Sequence, residues 1–215
     1  MYFSFIVIMM PWVIRNYLLS GYFVPTTTLV GSFAHEGLFA SKNGPIKGDF
    51  SNIGKMASKQ RAEMAEKLGL QFKDAWHKHF YNVRDEVAFN KSIFSEVVRE
   101  YINQPTLFLK TIFNNSWRFW FQGMTEIANR LNLIFMIPFL TIFIFGIFFA
   151  IKQKIDIFPA LLLIIYYYSI HLPLQGLTRY HVPIIPLMTI ISTIALFNFL
   201  KKFGIQLPLI EKNND

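Results

Sequence analysis

Two arginines and a histidine stand at the borders of apolar segments, where they could hold a negatively charged group. Arg15 lies in residues 11–17, PWVIRNY, where an apolar stretch ends, and Arg179 and His181 lie in residues 178–183, TRYHVP, where another begins. An arginine binds phosphate through two parallel N–H donors, and a neighbouring histidine can add a third. These residues are therefore candidate ligands for a phosphate at a membrane boundary. The alternative is that both arginines only anchor helix ends.

A histidine and a glutamate follow soon after the first of these arginines. His35 and Glu36 lie in residues 31–37, GSFAHEG. The surrounding residues 21–54 are rich in Gly, Thr, Ser, Asn and Pro, which predicts an ordered loop or short strands and not a helix. We therefore expect both side chains to lie in a flexible loop close behind Arg15.

The composition of the chain is that of a protein in contact with lipid. The 215 residues are 53% apolar and only 16% charged, and 24 of them are phenylalanine. Soluble domains carry about 45–50% apolar and about 25% charged residues. The lack of cysteine excludes disulfide scaffolds, thiolate metal sites and cysteine nucleophiles. The net charge of +8 indicates attraction to anionic membrane lipid, and without a Lys/Arg run it argues against nucleic-acid binding.

Three uncharged segments in the C-terminal half are long enough to cross a membrane. They comprise residues 131–151, 157–178 and 181–200. About 20 apolar residues at ~1.5 Å per residue match the ~30 Å hydrocarbon core of a bilayer. Because backbone groups in lipid must be paired within their own segment, we expect three transmembrane helices.

The remaining domain borders follow from these segments. Residues 1–14 would reach only about 21 Å as a helix, which predicts a partial transmembrane helix belonging to a longer polytopic protein. The alternative is an interfacial helix at a true N-terminus. Residues 15–130 would form a mainly helical extracytoplasmic domain, 131–200 the three C-terminal transmembrane helices, and 201–215 a cytoplasmic tail. The predicted fold class is an all-α polytopic membrane protein.

Lysines beside the predicted spans indicate the orientation. Lys152 and Lys154 lie between the first and second spans, and Lys201 and Lys202 follow the third. Three spans place both pairs on one side, which the positive-inside rule makes the cytoplasm. The large domain and the loop before the last span then face the other side.

Three helices are predicted in the large domain. Residues 55–68 form a polar helix, Asn82 can cap a helix running to about Asn103, and a further helix opens at Pro105. The last is rich in Trp and Phe. It suits either the lipid headgroup boundary or packing against the preceding helix.

Taken together, these stretches resemble the C-terminal part of bacterial GT-C membrane glycosyltransferases, the family related to protein O-mannosyltransferases and to the aminoarabinose transferases of lipid A. Members carry a P-W-x-x-R-N-Y element leaving a membrane helix and a V-P-(S/T)-rich stretch. They also carry a glycine-containing loop, an extracytoplasmic helix pair before a Trp/Phe-rich segment, and R-Y-x-x-P-x-x-P at a late membrane helix. The matching stretches are residues 11–17, 24–28, 31–43, 97–109, 117–121 and 179–186.

The resemblance implies transfer of a sugar from a polyprenyl-phosphate donor to a glycan, lipid or protein acceptor outside the cytoplasmic membrane of a bacterium. It implies that Arg179, His181 and Arg15 bind the donor phosphate, and it makes Glu36, His35 and Tyr180 candidates for contact with the acceptor or sugar. The acidic general base of the family lies in an N-terminal region that this sequence lacks. No catalytic residue is therefore assigned, and this part alone is expected to be inactive. The use of a divalent metal by the full-length enzyme is left as an open alternative.

Two other classes of protein fit the same pattern of spans and large external domain. One is a non-enzymatic transporter, flippase or scaffold subunit, although transporters more often carry polar residues in the middle of their spans. The other is an O-antigen polymerase or ligase.

Overall fold

The computed structural model describes residues 2–24, 27–44, 50–70, 72–74 and 79–203, and over these the chain is mostly helical. Most of the predicted cytoplasmic tail, from residue 204 onward, lies outside the described residues. A two-stranded antiparallel hairpin pairs β1 (Phe72–Asp74) with β2 (His79–Phe80). The α-helices are α1 (Tyr2–Ser20), α2 (Val30–Asn43), α3 (Phe50–Lys67), α4 (Val83–Asn103), α5 (Pro105–Phe121), α6 (Glu126–Lys152), α7 (Phe158–His171) and α8 (Ile185–Lys202).

The starts of the helices after the hairpin follow the sequence signals. The Asn82 side chain accepts a hydrogen bond from the backbone N–H of Arg84 at 2.9 Å, as a helix cap does, which confirms the cap predicted for α4. Pro105 occupies the first turn of α5, where its missing N–H costs nothing. Thr125 caps α6 by accepting from the backbone of Ala128. Local chemistry therefore sets these boundaries.

The loop predicted for residues 21–54 is wrong over much of its length, because Val30–Asn43 form helix α2. A Cβ on Gly31 would fall 1.9 Å from the Asn90 carbonyl oxygen, and a Cβ on Gly37 would fall 1.7 Å from that of Leu174. The glycines that suggested a loop instead let the helix approach two other backbones. Tertiary packing here outweighs the low helix propensity of glycine.

Two helical segments in the described part of the chain are long and apolar enough to cross a membrane. One is α6, with 27 residues, and the other is Thr178–Lys202, with 25 residues, in which two 3-10 turns precede α8. The segment predicted over 157–178 is helical only as the 14-residue α7. That helix ends two residues before Pro173, which has no N–H to continue it.

Helices α6 and α8 lie side by side and run parallel. A Cβ on Gly146 would meet the Ile191 carbonyl oxygen at 2.2 Å, and further along the Gln153 side chain donates to Asn198 at 2.6 Å. Because residue numbers increase in the same direction along both helices, the ends of α6 and α8 that carry lysines lie at the same end of the helix group. This is the arrangement that three alternating passes require.

The two larger of the three apolar clusters among the described residues join most of the helices. The first joins α2, α3, α4 and the hairpin through buried residues that include Leu38, Phe89 and Ile93. The second joins α5 to α6, α7 and α8, with Phe119 and Met188 fully buried. Helix α2 contacts α3, α4 and α5 and so connects the two clusters.

Candidate functional site

A chain of hydrogen bonds at the start of the last apolar segment links three polar side chains. The Arg179 guanidinium donates to the Tyr180 hydroxyl at 3.1 Å, and that hydroxyl donates to the Gln175 side-chain oxygen at 3.0 Å. The guanidinium carbon also lies 5.1 Å from the centre of the Tyr180 ring. Arg179 is exposed and forms no ion pair with a carboxylate among the described residues. Its positive charge is therefore available to an external anion.

Glu36 is buried on helix α2, whose Gly37 packs against the backbone of Leu174 in the segment that leads to Tyr180. Its carboxylate oxygen Oε2 lies 3.6 Å from the Nη1 atom of Arg61, whose side chain is completely buried. Arg61 is held by Ser58, which accepts a hydrogen bond from it at 2.8 Å. Burial lowers the pKa of Arg61 from its ordinary value, and the Glu36 charge opposes that change. The two charges thus compensate each other behind Tyr180.

The backbone that carries Gln175 is irregular, and its neighbours cover it. The Asn115 amide donates to the Leu172 carbonyl at 2.8 Å and to the Leu174 carbonyl at 3.4 Å. A Cβ on Gly176 would fall 2.2 Å from the Asn115 carbonyl oxygen, so this segment lies directly on α5. The side chain of Asn115 thereby pairs carbonyl groups that the end of α7 leaves free.

His181 faces α5 and not the Arg179 side chain. Its Nδ1 atom donates to the Phe119 carbonyl at 2.9 Å, and its ring stacks on Trp120 with centres 5.6 Å apart. This fixes the orientation of the ring, and His181 is 7% exposed. Its role in phosphate binding stays a prediction, and these contacts give the residue a packing role against α5.

His35 and Glu36 point to different sides of α2, since neighbours on a helix are about 100° apart. The Nε2 atom of His35 lies 3.2 Å from the Gln60 side-chain oxygen. Burial, with a smaller effect of the Arg61 charge, lowers the pKa of His35 to about 4. The imidazole is therefore neutral at physiological pH, and Nε2 is its protonated nitrogen.

Arg15 does not join this group in the described structure. It lies inside α1, which continues to Ser20, and its guanidinium carbon is 5.6 Å from the centre of the Trp12 ring. It forms no hydrogen bond or ion pair with Arg179 or His181 among the described residues. Of the six predicted site residues, the structure joins Arg179 and Tyr180 directly, and it places Glu36 on a helix that packs against the segment before them.

Sequence reasoning missed three polar residues that complete the site. Gln175 ends the hydrogen-bond chain from Arg179, and Arg61 pairs with Glu36. Arg118 lies in the helix for which the sequence left open an interfacial position or packing against the preceding helix. It is completely buried and donates to the Ala40 carbonyl at 2.9 Å, in the last turn of α2. Its charge favours that helix end. The sequence signal available for Arg118 was its position in a run of aromatic residues.

The described residues contain no group of three or more His, Cys, Asp or Glu side chains that could hold a metal ion. The site at Tyr180 instead combines one exposed cation, one hydroxyl, one amide and a carboxylate, which suits hydrogen bonding to an oxygen-rich substrate. No protein-family model, curated protein or solved structure matches this chain.

Proposed function

We propose that this chain is part of a multi-pass membrane glycosyltransferase that transfers a sugar from a polyprenyl-phosphate donor to an acceptor outside the cytoplasmic membrane. The observation that carries the proposal is Arg179, an exposed cation that has no carboxylate partner in the described part of the chain and lies at the first turn of an apolar segment long enough to cross a bilayer. A lipid-linked phosphate lies at this depth, between hydrocarbon and water.

Arg179 is the proposed ligand of the donor phosphate. In the reaction, the acceptor hydroxyl oxygen forms a bond to the anomeric carbon while the bond from that carbon to the phosphate oxygen breaks. Negative charge then grows on the departing phosphate, and a guanidinium placed there stabilises it more in the transition state than before. The hydrogen bond to Tyr180 and the contact with its ring hold Arg179 in place.

Glu36 is the proposed contact for the acceptor or the sugar, because it lies on the helix that packs against the segment before Tyr180. The carboxylate of Glu36, which lies beside the Arg61 guanidinium, can accept hydrogen bonds from hydroxyl groups. The proton of the acceptor hydroxyl passes to a carboxylate that the family resemblance puts in a different part of the enzyme.

The test uses membranes expressing the chain within its complete reading frame and a labelled polyprenyl-phosphate sugar. Arg179→Ala should lower turnover at least about tenfold, the effect of losing one charge-assisted contact to phosphate. Arg179→Lys should recover only part of it, because lysine keeps the charge but not the paired donors.

The matched control is Arg130→Ala. Arg130 is also an exposed arginine, near the start of the parallel helix α6, but it is paired with Glu126 at 2.7 Å. Its replacement should leave turnover within about twofold, since exposed pairs contribute little. Equal turnover of Arg179→Ala and Arg130→Ala, with both inserted in the membrane, contradicts the phosphate-binding role.

A further inference from the structure

A small, partly open pocket lies on a different face of α2 from Glu36. It is formed between α2, α3 and α4 and has a volume of about 150 Å³. An apolar cavity of roughly this volume accepts one benzene ring, so the pocket has room for one six-membered ring. The polar and aromatic side chains that line it include those of His35, Phe39, Lys42, Gln60, Glu96 and Glu100.

The buried wall of the pocket carries hydrogen-bonding groups that the protein does not use. His35 is 7% exposed and lines the pocket, and its Nδ1 atom has no hydrogen-bond partner. Because Nε2 holds the proton and faces Gln60, Nδ1 is an acceptor. The Gln60 amide nitrogen remains able to donate. A buried acceptor without a partner costs free energy, which a bound hydroxyl would recover.

The charges at the rim of the pocket are unequal. Lys42 on α2 forms an ion pair with Glu100 on α4, which leaves Glu96 as the remaining carboxylate. Glu96 forms no hydrogen bond or ion pair among the described residues. The charged side chains of the lining thus sum to one negative charge, which disfavours acids and accepts hydrogen bonds from neutral hydroxyl groups.

We infer that this pocket binds one uncharged pyranose ring of a carbohydrate acceptor. A pyranose presents several hydroxyl groups around a six-membered ring, which can donate to the carboxylate and the imidazole and accept from the Gln60 amide nitrogen, and its C–H face suits the ring of Phe39. The inference rests on the proposed glycosyl transfer and narrows the acceptor to a glycan. The reacting hydroxyl would lie near Glu36, with this pocket holding a further ring of the same glycan.

The test measures binding of methyl β-D-glucopyranoside and methyl β-D-glucuronide by saturation-transfer-difference NMR. The full chain is purified in a detergent without a sugar headgroup. The glucoside should bind saturably, and the glucuronide, which has the same ring and one carboxylate, should bind at least about tenfold more weakly because of the repulsion from Glu96.

The variant Glu96→Gln should weaken glucoside binding about tenfold, since a charge-assisted hydrogen bond becomes a neutral one. Gln60→Leu should also weaken glucoside binding about tenfold, because it removes the amide. Glu63→Gln is the matched control, because Glu63 is an exposed carboxylate on α3 outside the lining, and binding should be unchanged.

The outcomes separate this inference from the proposed function. No saturable glucoside binding, or equal affinity of the Glu96→Gln and Glu63→Gln proteins, overturns the pocket assignment even if sugar transfer is observed. Sugar transfer to a glycan acceptor that persists undiminished in the Glu96→Gln, Gln60→Leu double variant also overturns it. Glucoside binding that depends on Glu96, in an enzyme that transfers no sugar, supports the pocket and contradicts only the proposed reaction.

Discussion

Replacing Gly37 by alanine should disturb both the stability of the fold and the site at Tyr180. The added Cβ would lie 1.7 Å from the Leu174 carbonyl oxygen, whereas carbon and oxygen normally stay at least about 3.3 Å apart. Helix α2 and residues 172–176 must therefore separate by roughly 1.6 Å. Both are backbone, so no side-chain rotation can relieve the overlap.

The expected cost combines two effects. Overpacking of this kind costs about 1–3 kcal/mol. The movement also stretches the hydrogen bond from Asn115 to Leu172, which contributes about 1 kcal/mol. The sum of about 2–4 kcal/mol corresponds to a fall of about 4–16 °C in the apparent melting temperature for a chain of this length. Gln175 moves with its neighbours, so sugar transfer measured well below melting should fall as well.

The control variant for Gly37→Ala is Gly69→Ala. Gly69 has a φ of +71° and no atom within 4 Å of its ideal Cβ, so its replacement costs only the backbone strain of about 1–2 kcal/mol. Melting temperatures are measured in one detergent by tryptophan fluorescence. If Gly37→Ala melts no lower than Gly69→Ala and transfers sugar normally, the close packing of α2 on residues 172–176 is refuted.

Two further predictions concern the buried cations and the neutral histidine. Arg118→Met should lower the free energy of unfolding by about 2 kcal/mol, because the Ala40 carbonyl at the end of α2 loses its charged donor; an unchanged melting temperature would show that this contact is dispensable. The pKa of His35 is lowered from 6.5 to about 4, so the unfolded chain takes up a proton at a higher pH than the folded protein. The free energy of unfolding is therefore unaffected by this group above pH 6.5, and it falls by up to about 3 kcal/mol as the pH falls to 4. The melting temperatures of wild type and His35→Gln should therefore approach each other as the pH is lowered between these values. Parallel plots of melting temperature against pH would contradict the lowered pKa of His35.

Helix ends could be read from the sequence wherever local chemistry decides them. Asn82 and Pro105 each satisfy a rule that involves only residues within one turn, and both lie where they were expected. The long apolar helix α6 was also predictable, since its length and lack of charge are properties of the segment itself. Helix α2 was not predictable from the sequence. Its glycines allow close backbone packing, and this matters only once Asn90 and Leu174 lie against them.

The candidate site could be anticipated only in part for the same reason. Arg179 and Tyr180 are adjacent in the chain and Glu36 was singled out, but Arg61 and Gln175 reach them through the packing of α2 and of the segment after α7. Nothing in a single sequence states which of its 21 Lys and Arg residues is buried. Arg118 illustrates this, since its neighbours suggest a lipid surface and its partner lies in a distant helix.

The short length of α7 has a consequence for the lipid around the protein. Its 14 residues span about 21 Å, against about 40 Å for the 27 residues of α6. If α6 and α8 cross a bilayer with a ~30 Å core, the hydrophobic mismatch at α7 draws the headgroups inward on that flank. The thinned leaflet would lie beside Gln175 and Arg179, and a lipid phosphate could reach the guanidinium without leaving its own leaflet.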